Sequence, residues 1–197
     1  MLRTILGALA LALTITQASA APNEGRLTFL GHALVEKTNT LGPQGGIIEF
    51  GLDSETRENW TTLVSYRALP GTRQTAYEMA SVHAREMRER FPSERHPGSV
   101  IRTYKGRDEA LAEFCMVMPD ATVDYSVFRY AAGPGGHGLV SLRYSRRLRG
   151  SEIDTMSTDA ARWAQAVAQF DMNRVRATLA QTRDGEARSR VLSKQIP

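Results

Sequence analysis

Hydrophobic and polar positions form their clearest pattern between residues 108 and 146, where they predict three consecutive β-strands. Residues 110–118 form a nearly unbroken apolar run, which is typical of a strand covered on both faces, although a buried helix segment gives the same pattern. Residues 123–131 and 139–146 alternate between apolar and polar side chains with a period of two. We expect these strands to form the centre of the sheet that the rest of the chain covers.

A glycine-rich loop joins the two alternating strands. Gly133, Gly135 and Gly138 match the spacing G-x-G-x-x-G, but a dinucleotide-binding loop requires a helix directly after its last glycine. Because a strand pattern follows Gly138 instead, we interpret the segment as a long hairpin loop. His137 is most simply a solvated residue at its tip, and Gly135 and His137 are the candidate binding residues of this loop.

The remaining segments predict sequential strands and two long helices. Thr75 and Glu78 have the spacing of a capping box, and an apolar stripe with helical periodicity follows them as far as Pro92. A second helix is predicted over residues 154–181. Further strands are predicted at residues 27–36, 47–52, 60–69 and 99–105. This order of elements indicates an α+β fold, a mainly antiparallel β-sheet with two long helices packed on its faces.

The N-terminus has the pattern of a signal peptide over residues 1–20. Arg3 precedes a short apolar run, and Ala18-Ser19-Ala20 is a small-x-small cleavage site. The short leader and the excess of arginine over lysine suit a bacterial protein. We predict cleavage after Ala20 and a periplasmic location, with an uncleaved anchor as the alternative. Residues 21–182 then form a single α+β domain, and residues 183–197 form a flexible polar tail.

Composition places the chain among ordinary globular proteins. Hydrophobic residues make up 42% of the chain and charged residues 23%. After the leader, no segment approaches the roughly 20 apolar residues of a membrane-spanning helix. The net charge of +4 is too small to indicate nucleic-acid binding. We therefore expect an envelope protein partner, no nucleic acid and no transmembrane anchor in the mature chain.

Cys115 is the single cysteine, so no intramolecular disulfide can form. Its apolar surroundings favour a small buried side chain, whereas a nucleophilic thiol would need a nearby base and some exposure. A cleft that holds Cys115 within hydrogen-bonding distance of a histidine would indicate an enzyme, and a sealed Cys115 would argue against one. The histidines lie far apart in sequence, at His32, His83, His96 and His137.

A basic cluster closes the last predicted strand. Arg143, Arg146, Arg147 and Arg149 could bind an anionic partner. They could also be the solvated end of an edge strand, where charges discourage sheet pairing, and we favour this edge interpretation. The charged loop at residues 53–59 is a second candidate surface. Its carboxylate spacing matches no calcium-binding loop and favours a solvated loop.

The order of elements resembles that of PsbP-like α/β/α sandwich proteins, which include a photosynthetic oxygen-evolving subunit and small bacterial envelope proteins. The resemblance is carried by Glu58-Asn59-Trp60-Thr61 before a strand, the helix that starts near Thr75, the hairpin with the sequence GPGG, and the C-terminal helix with Trp163. It covers most of the mature chain. The resemblance implies an accessory or binding module and carries no catalytic residue onto this sequence.

These observations together predict an exported soluble periplasmic accessory protein that binds another envelope component. Neither a metal-ligand spacing nor a nucleophile–base–orienter set is visible in the sequence, so we expect no cofactor. The alternatives are a small-ligand-binding protein and an enzyme with a dispersed site around Cys115 and a histidine.

Overall fold

The computed structural model describes residues 25–42, 44–90, 98–103 and 107–181. The predicted leader at residues 1–20, the predicted tail at residues 183–197 and His96 lie outside the described residues. What the sequence predicts for them stays a prediction.

Eight strands and three helices occur in the described residues. The strands are β1 (Arg26–Phe29), β2 (His32–Asn39), β3 (Gly46–Leu52), β4 (Thr62–Leu69), β5 (Gly98–Thr103), β6 (Glu109–Val117), β7 (Val123–Ala132) and β8 (Leu139–Leu148). The helices are α1 (Ala76–Arg90), α2 (Ser151–Gln169) and α3 over residues 172–181. Every predicted strand region therefore contains at least one strand.

The eight strands form one antiparallel sheet with the order β1-β2-β3-β4-β8-β7-β6-β5. Strands that follow each other in the chain pair with each other, except β4 and β5, and β8 pairs with both β7 and β4. The α+β class and the antiparallel sheet are thus confirmed. The edge interpretation of Arg143, Arg146, Arg147 and Arg149 is wrong, because β8 has a neighbouring strand on each side.

The first predicted strand, residues 27–36, is a hairpin of two strands. Leu30 and Gly31 form its turn with φ angles of 49° and 81°, the left-handed region that two-residue hairpin turns require. Glycine adopts this region readily and leucine does not. Gly31 was therefore the one local signal that the strand breaks here.

The second predicted helix is divided into α2 and α3 at Phe170. Arg129 projects from β7 and donates hydrogen bonds to the carbonyl oxygens of Val167, Ala168 and Phe170. It thereby pairs the acceptors that the end of a helix leaves open. Asp171 then caps the first turn of α3 by accepting a backbone N–H bond. Three helices, rather than two long ones, pack on the sheet.

The first face of the sheet carries the larger hydrophobic core, beneath α2 and α3. Leu142 and Tyr144 of β8 are at most 1% exposed on this face. Trp163 and Val167 of α2 belong to the same core cluster, to which Val175 of α3 also contributes. The alternation predicted for β8 is confirmed, because Val140, Leu142 and Tyr144 all belong to this core, whereas Leu139 belongs to the cluster on the second face.

The second face is covered by a helix over part of its width. α1 packs mainly over β5, β6 and β7, and the predicted capping box between Thr75 and Glu78 starts this helix with reciprocal hydrogen bonds of 2.8 and 3.2 Å. Small side chains form the contact and allow a close approach of helix and sheet. They are Ala76, Ala80 and Ala84 on the helix and Ala110 and Ala112 on β6.

His83 of α1 is partly buried between the helix and the second face of the sheet. Its Nδ1 atom lies 2.6 Å from the Tyr130 hydroxyl, and its ring meets the Phe128 ring edge-on at 4.5 Å. Burial, and then the charges of Arg143 and Arg67, lowers the pKa of His83 to about 4. The imidazole is therefore neutral at pH 7.

The rest of the second face, on β3, β4 and β8, carries polar side chains, and we call it the polar half. These side chains alternate along each strand with residues that point to the first face. The polar half contains Glu49, Ser65, Arg67, Ser141, Arg143, Ser145 and Arg147.

Candidate functional site

Two surfaces that the sequence singled out separately meet on the polar half. The loop at residues 53–59 and Arg143 line one partly open cavity of about 150 Å³, which we call the Arg143 cavity. Gly51 adds no side chain to this space, and a Cβ atom there would lie 3.4 Å from Lys37 Cγ. The lining residues are Lys37, Glu49, Gly51, Glu55, Thr56, Arg57, Trp60, Leu63 and Arg143.

Strand register places the charges of this cavity in a row. Glu49 of β3 pairs with Ser65 of β4, and Ser65 pairs with Arg143 of β8. Phe128 of β7 continues the row on the far side of Arg143. The short side chain of Ser65 therefore separates a carboxylate from a guanidinium on the same face.

Arg143 is held in place by its neighbours but forms no ion pair with a described residue. Its Nε atom donates a 2.6 Å hydrogen bond to Ser145 Oγ, and its guanidinium lies 5.3 Å from the centre of the Phe128 ring. Among the described residues, no carboxylate lies within 4.0 Å of it. Burial lowers the pKa of Arg143, and the charge of Glu49 opposes this shift. An arginine in these surroundings is well placed to pair with an incoming anion.

The loop over the cavity is fixed at its far end by Glu55. One carboxylate oxygen of Glu55 accepts hydrogen bonds from the backbone and the hydroxyl of Thr61, and the other accepts one from the Thr62 amide at 3.4 Å. Asp53 and Glu58 are exposed, as a solvated loop predicts. Glu55 differs from that prediction, because it is partly buried and its oxygens satisfy the backbone at the start of β4.

Arg147 lies beside the cavity and forms an ion pair with Asp124. It makes two hydrogen bonds, of 2.9 and 3.1 Å, to the carboxylate of Asp124. Its guanidinium also lies 4.3 Å from the centre of the Trp60 ring. Since Trp60 lines the cavity, Arg147 and Asp124 support one of its walls.

The other two arginines of the predicted cluster lie elsewhere. Arg146 points to the first face, where it hydrogen-bonds Thr62 Oγ1 at 2.9 Å and Glu152 at 3.0 Å. Arg149 is exposed in the turn before α2. The four side chains are therefore not one continuous patch, and Arg143 alone of the four lines the cavity.

The loop with Gly135 and His137 adjoins the opposite end of β8, whose first residue, Leu139, lies roughly 26 Å from Arg147 along the strand. It connects two antiparallel strands, so the hairpin interpretation is confirmed and no helix follows Gly138. Gly138 has a φ angle of 65°, and a Cβ atom there would lie 2.4 Å from the Leu69 carbonyl oxygen. His137 borders a separate, mainly apolar cavity of about 400 Å³.

Cys115 lies on the first face, where its Sγ atom is 3.8 Å from Met156 Sδ of α2. Burial raises the pKa of the thiol, so the thiolate is disfavoured. His83 packs on the second face, and none of the described histidines hydrogen-bonds Cys115. The described residues thus give no support to a cysteine–histidine site.

Two further features concern metal ligands and membrane-spanning helices. In the described part of the chain, no three residues among its histidines, cysteines and acidic residues are grouped so that they could hold a metal ion. No helix within these same residues is long and apolar enough to cross a membrane.

A protein-family model matches residues 24–175, which is more than half of the chain. The chain belongs to this family. The function of the family is unknown. Neither the curated proteins nor the solved structures contain a match. The matched segment includes all eight strands and every residue that lines the Arg143 cavity.

Sequence reasoning missed Glu49 and Trp60 as residues of this site. Glu49 interrupts an apolar run, IIEFGL, and a single charge inside a strand signals that its side of the sheet is open to water. The sequence predicts Trp60 as the first residue of a strand, and Trp60 directly follows the charged loop at residues 53–59. The pairing of β4 with β8, which joins both residues to Arg143, leaves no signal in the local sequence.

Proposed function

We propose that the protein is an exported binding protein of the bacterial envelope, an accessory module that binds another envelope component at the Arg143 cavity. One observation carries the proposal: the loop at residues 53–59 and Arg143 close on one cavity, in which no described carboxylate pairs with Arg143. The signal-peptide pattern of residues 1–20 supports export. Arg146 and Arg147 pair with the carboxylates of Glu152 and Asp124, so we do not assign them to the binding site.

Binding is favoured over catalysis because the groups in the cavity are suited to recognition. Arg143 and Lys37 are donors, and Glu49 is an acceptor, but the cavity lining contains no histidine, cysteine or serine. Thr56 is the hydroxyl-bearing residue of this lining, and it donates a hydrogen bond to the Asn59 side chain rather than to a base. The alternative around Cys115 is disfavoured by the burial of the thiol and by its position beneath α2.

The relationship to PsbP-like proteins remains part of this proposal. It is supported by the α+β class and by the antiparallel sheet. The sheet order β1-β2-β3-β4-β8-β7-β6-β5 supplies a direct test, since a PsbP-like sheet with the same order and the same position of α1 would support the relationship. A different strand order would remove it.

Crosslinking of the tagged protein in intact cells tests both parts of the proposal. We expect the recovered chain to begin at Ala21 and to carry one recurrent envelope partner. Arg143→Met should lower recovery of that partner at least tenfold, because it removes the guanidinium from the cavity. Arg149→Met is the matched control, since it removes an exposed arginine outside the cavity.

Mass spectrometry of the recovered chain and of its partner measures both outcomes. A chain that still begins at Met1 would contradict cleavage of the leader. Equal recovery of the partner with Arg143→Met and with Arg149→Met would exclude the Arg143 cavity as the binding site.

A further inference from the structure

Two opposite charges line the Arg143 cavity, and neither forms an ion pair with a described residue. The Arg143 guanidinium donates a hydrogen bond to the Ser145 hydroxyl. The Glu49 carboxylate has no hydrogen bond or ion pair within the described part of the chain. Ser65 lies between them in the register. The Cα atoms of Glu49 and Arg143 are therefore two strand spacings apart, roughly 10 Å.

The other charged groups of the cavity are less available for a ligand. Glu55 is occupied by the backbone at Thr61 and Thr62. Lys37 donates a 3.1 Å hydrogen bond to the Asp53 carbonyl oxygen, and Arg57 is exposed on the loop. Arg143 and Glu49 are thus the pair of charges that a ligand can satisfy inside the cavity.

The two charges select among the possible ligands. A simple anion would pair with Arg143 but would also face the Glu49 carboxylate, and a simple cation would meet Arg143 in the same way. A molecule with one group of each sign satisfies both residues. We propose that the Arg143 cavity binds a small zwitterion of the amino-acid class, with its carboxylate on Arg143 and its ammonium on Glu49.

The size and walls of the cavity fit this ligand class. A volume of about 150 Å³ is comparable to an engineered protein cavity that holds benzene, so a molecule of about six heavy atoms, such as alanine, can enter. Trp60 and Leu63 supply apolar surface for a short side chain. A carboxylate can meet the planar guanidinium with two parallel hydrogen bonds, which gives orientation as well as affinity. The inference rests on the proposed function and names the chemical group that its site recognises.

Isothermal titration of the purified protein with half-ligands tests the pairing of charges. The probes are L-alanine, propionate, which lacks the ammonium, and ethylammonium, which lacks the carboxylate. We expect L-alanine to bind at least tenfold more tightly than either half-ligand. Propionate binding as tightly as L-alanine would overturn the role of Glu49, and absence of L-alanine binding would overturn the proposal.

Variants assign each half of the ligand to its residue. Glu49→Gln should make L-alanine and propionate bind equally, and Arg143→Met should weaken L-alanine at least tenfold. Arg149→Met should bind L-alanine like the wild type. Circular dichroism melts establish that each variant is folded. A folded Arg143→Met or Glu49→Gln protein with unchanged L-alanine affinity would contradict the assignment.

One further probe distinguishes the source of the zwitterion. Nε-acetyllysine carries the same amino-acid head on a long side chain, so its binding would indicate a head attached to a larger envelope component. Binding of L-alanine alone would indicate a free small amino acid, and both results support the proposal. If L-alanine does not bind but partner crosslinking still depends on Arg143, this inference fails and the proposed function stands.

Discussion

Arg129 and Arg143 lie in neighbouring strands and have different partners. Arg129 pairs with Leu142 in the register of β7 and β8, which places it one position from the Phe128–Arg143 pair and on the opposite face. Arg129 makes an ion pair with Glu109 at 2.6 Å and caps the carbonyl end of α2. Arg143 has a serine and an aromatic ring instead. The comparison teaches that the partners of an arginine distinguish the structural role of Arg129 from the binding role that we propose for Arg143.

The largest expected effect comes from removing Arg129. Arg129→Met leaves the Glu109 carboxylate and the end of α2 without their partner, and breaking a buried pair in this way costs roughly 3–5 kcal/mol of unfolding free energy. Arg143→Met removes a guanidinium that forms no ion pair with a described residue. We therefore expect the free energy of unfolding to change by less than about 1 kcal/mol. Urea denaturation followed by circular dichroism measures both values. Equal losses of unfolding free energy in the two variants would contradict the distinction between Arg129 and Arg143.

An intermediate effect is expected at Arg147, which shares the second face with Arg143 but has a carboxylate partner. Asp124→Asn weakens two hydrogen bonds between charged groups, and we expect a loss of about 1–3 kcal/mol. Asp53→Asn is the control, because this exposed carboxylate should change the unfolding free energy by less than about 0.5 kcal/mol. The same urea titration applies. If Asp124→Asn lowers the free energy of unfolding no more than Asp53→Asn does, the ion pair of Arg147 does not stabilise the fold, and Arg147 resembles Arg143 rather than Arg129 in this respect.

The smallest effect concerns the charge that Arg143 projects onto His83. Burial is the main reason that the pKa of His83 lies at about 4, and Arg143 contributes after it. Arg143→Met should therefore raise this pKa part of the way towards 6.5, the ordinary value. An NMR titration of the His83 ring in both proteins measures the shift. An unchanged pKa would mean that a counter-ion already neutralises Arg143 in solution.

The same histidine gives the stability a predictable pH dependence. The pKa of His83 is lower in the folded protein than in the unfolded chain, so the unfolded chain binds the proton first as the pH falls. This contribution to stability is present above about pH 6.5 and is lost between pH 6.5 and 4. His83→Gln should flatten the melting temperature over this range, and an equally steep slope in the variant would assign the dependence to other groups.

Much of the fold follows from local patterns in the sequence. The alternation in β7 and β8 identified which residues point to each face, and Thr75 with Glu78 marked the start of α1. The break at Phe170 was not predicted because its cause is a distant side chain, Arg129, although Asp171 carried a capping signal. Local sequence preferences determine which helices and strands form, and contacts with residues distant in the sequence determine where α2 ends.

The candidate site was predicted only in part for the same reason. Arg143 and the loop at residues 53–59 were recognised as separate surfaces, but only the pairing of β4 with β8 brings them together. The predicted cluster of four arginines also included Arg146, which the alternation of β8 itself directs to the other face. The assignment of Gly135 and His137 as binding residues stays a prediction.

The two tryptophans divide between the two faces of the sheet, with Trp163 buried in the first-face core and Trp60 in the wall of the Arg143 cavity. The protein thus contains two fluorophores in different surroundings, and its emission combines a signal from the core with one from the cavity. In a Trp163→Phe variant, the remaining emission comes from Trp60 and Arg147 lies against its ring. Intrinsic fluorescence of that single variant then follows the surroundings of this wall of the cavity without any added label.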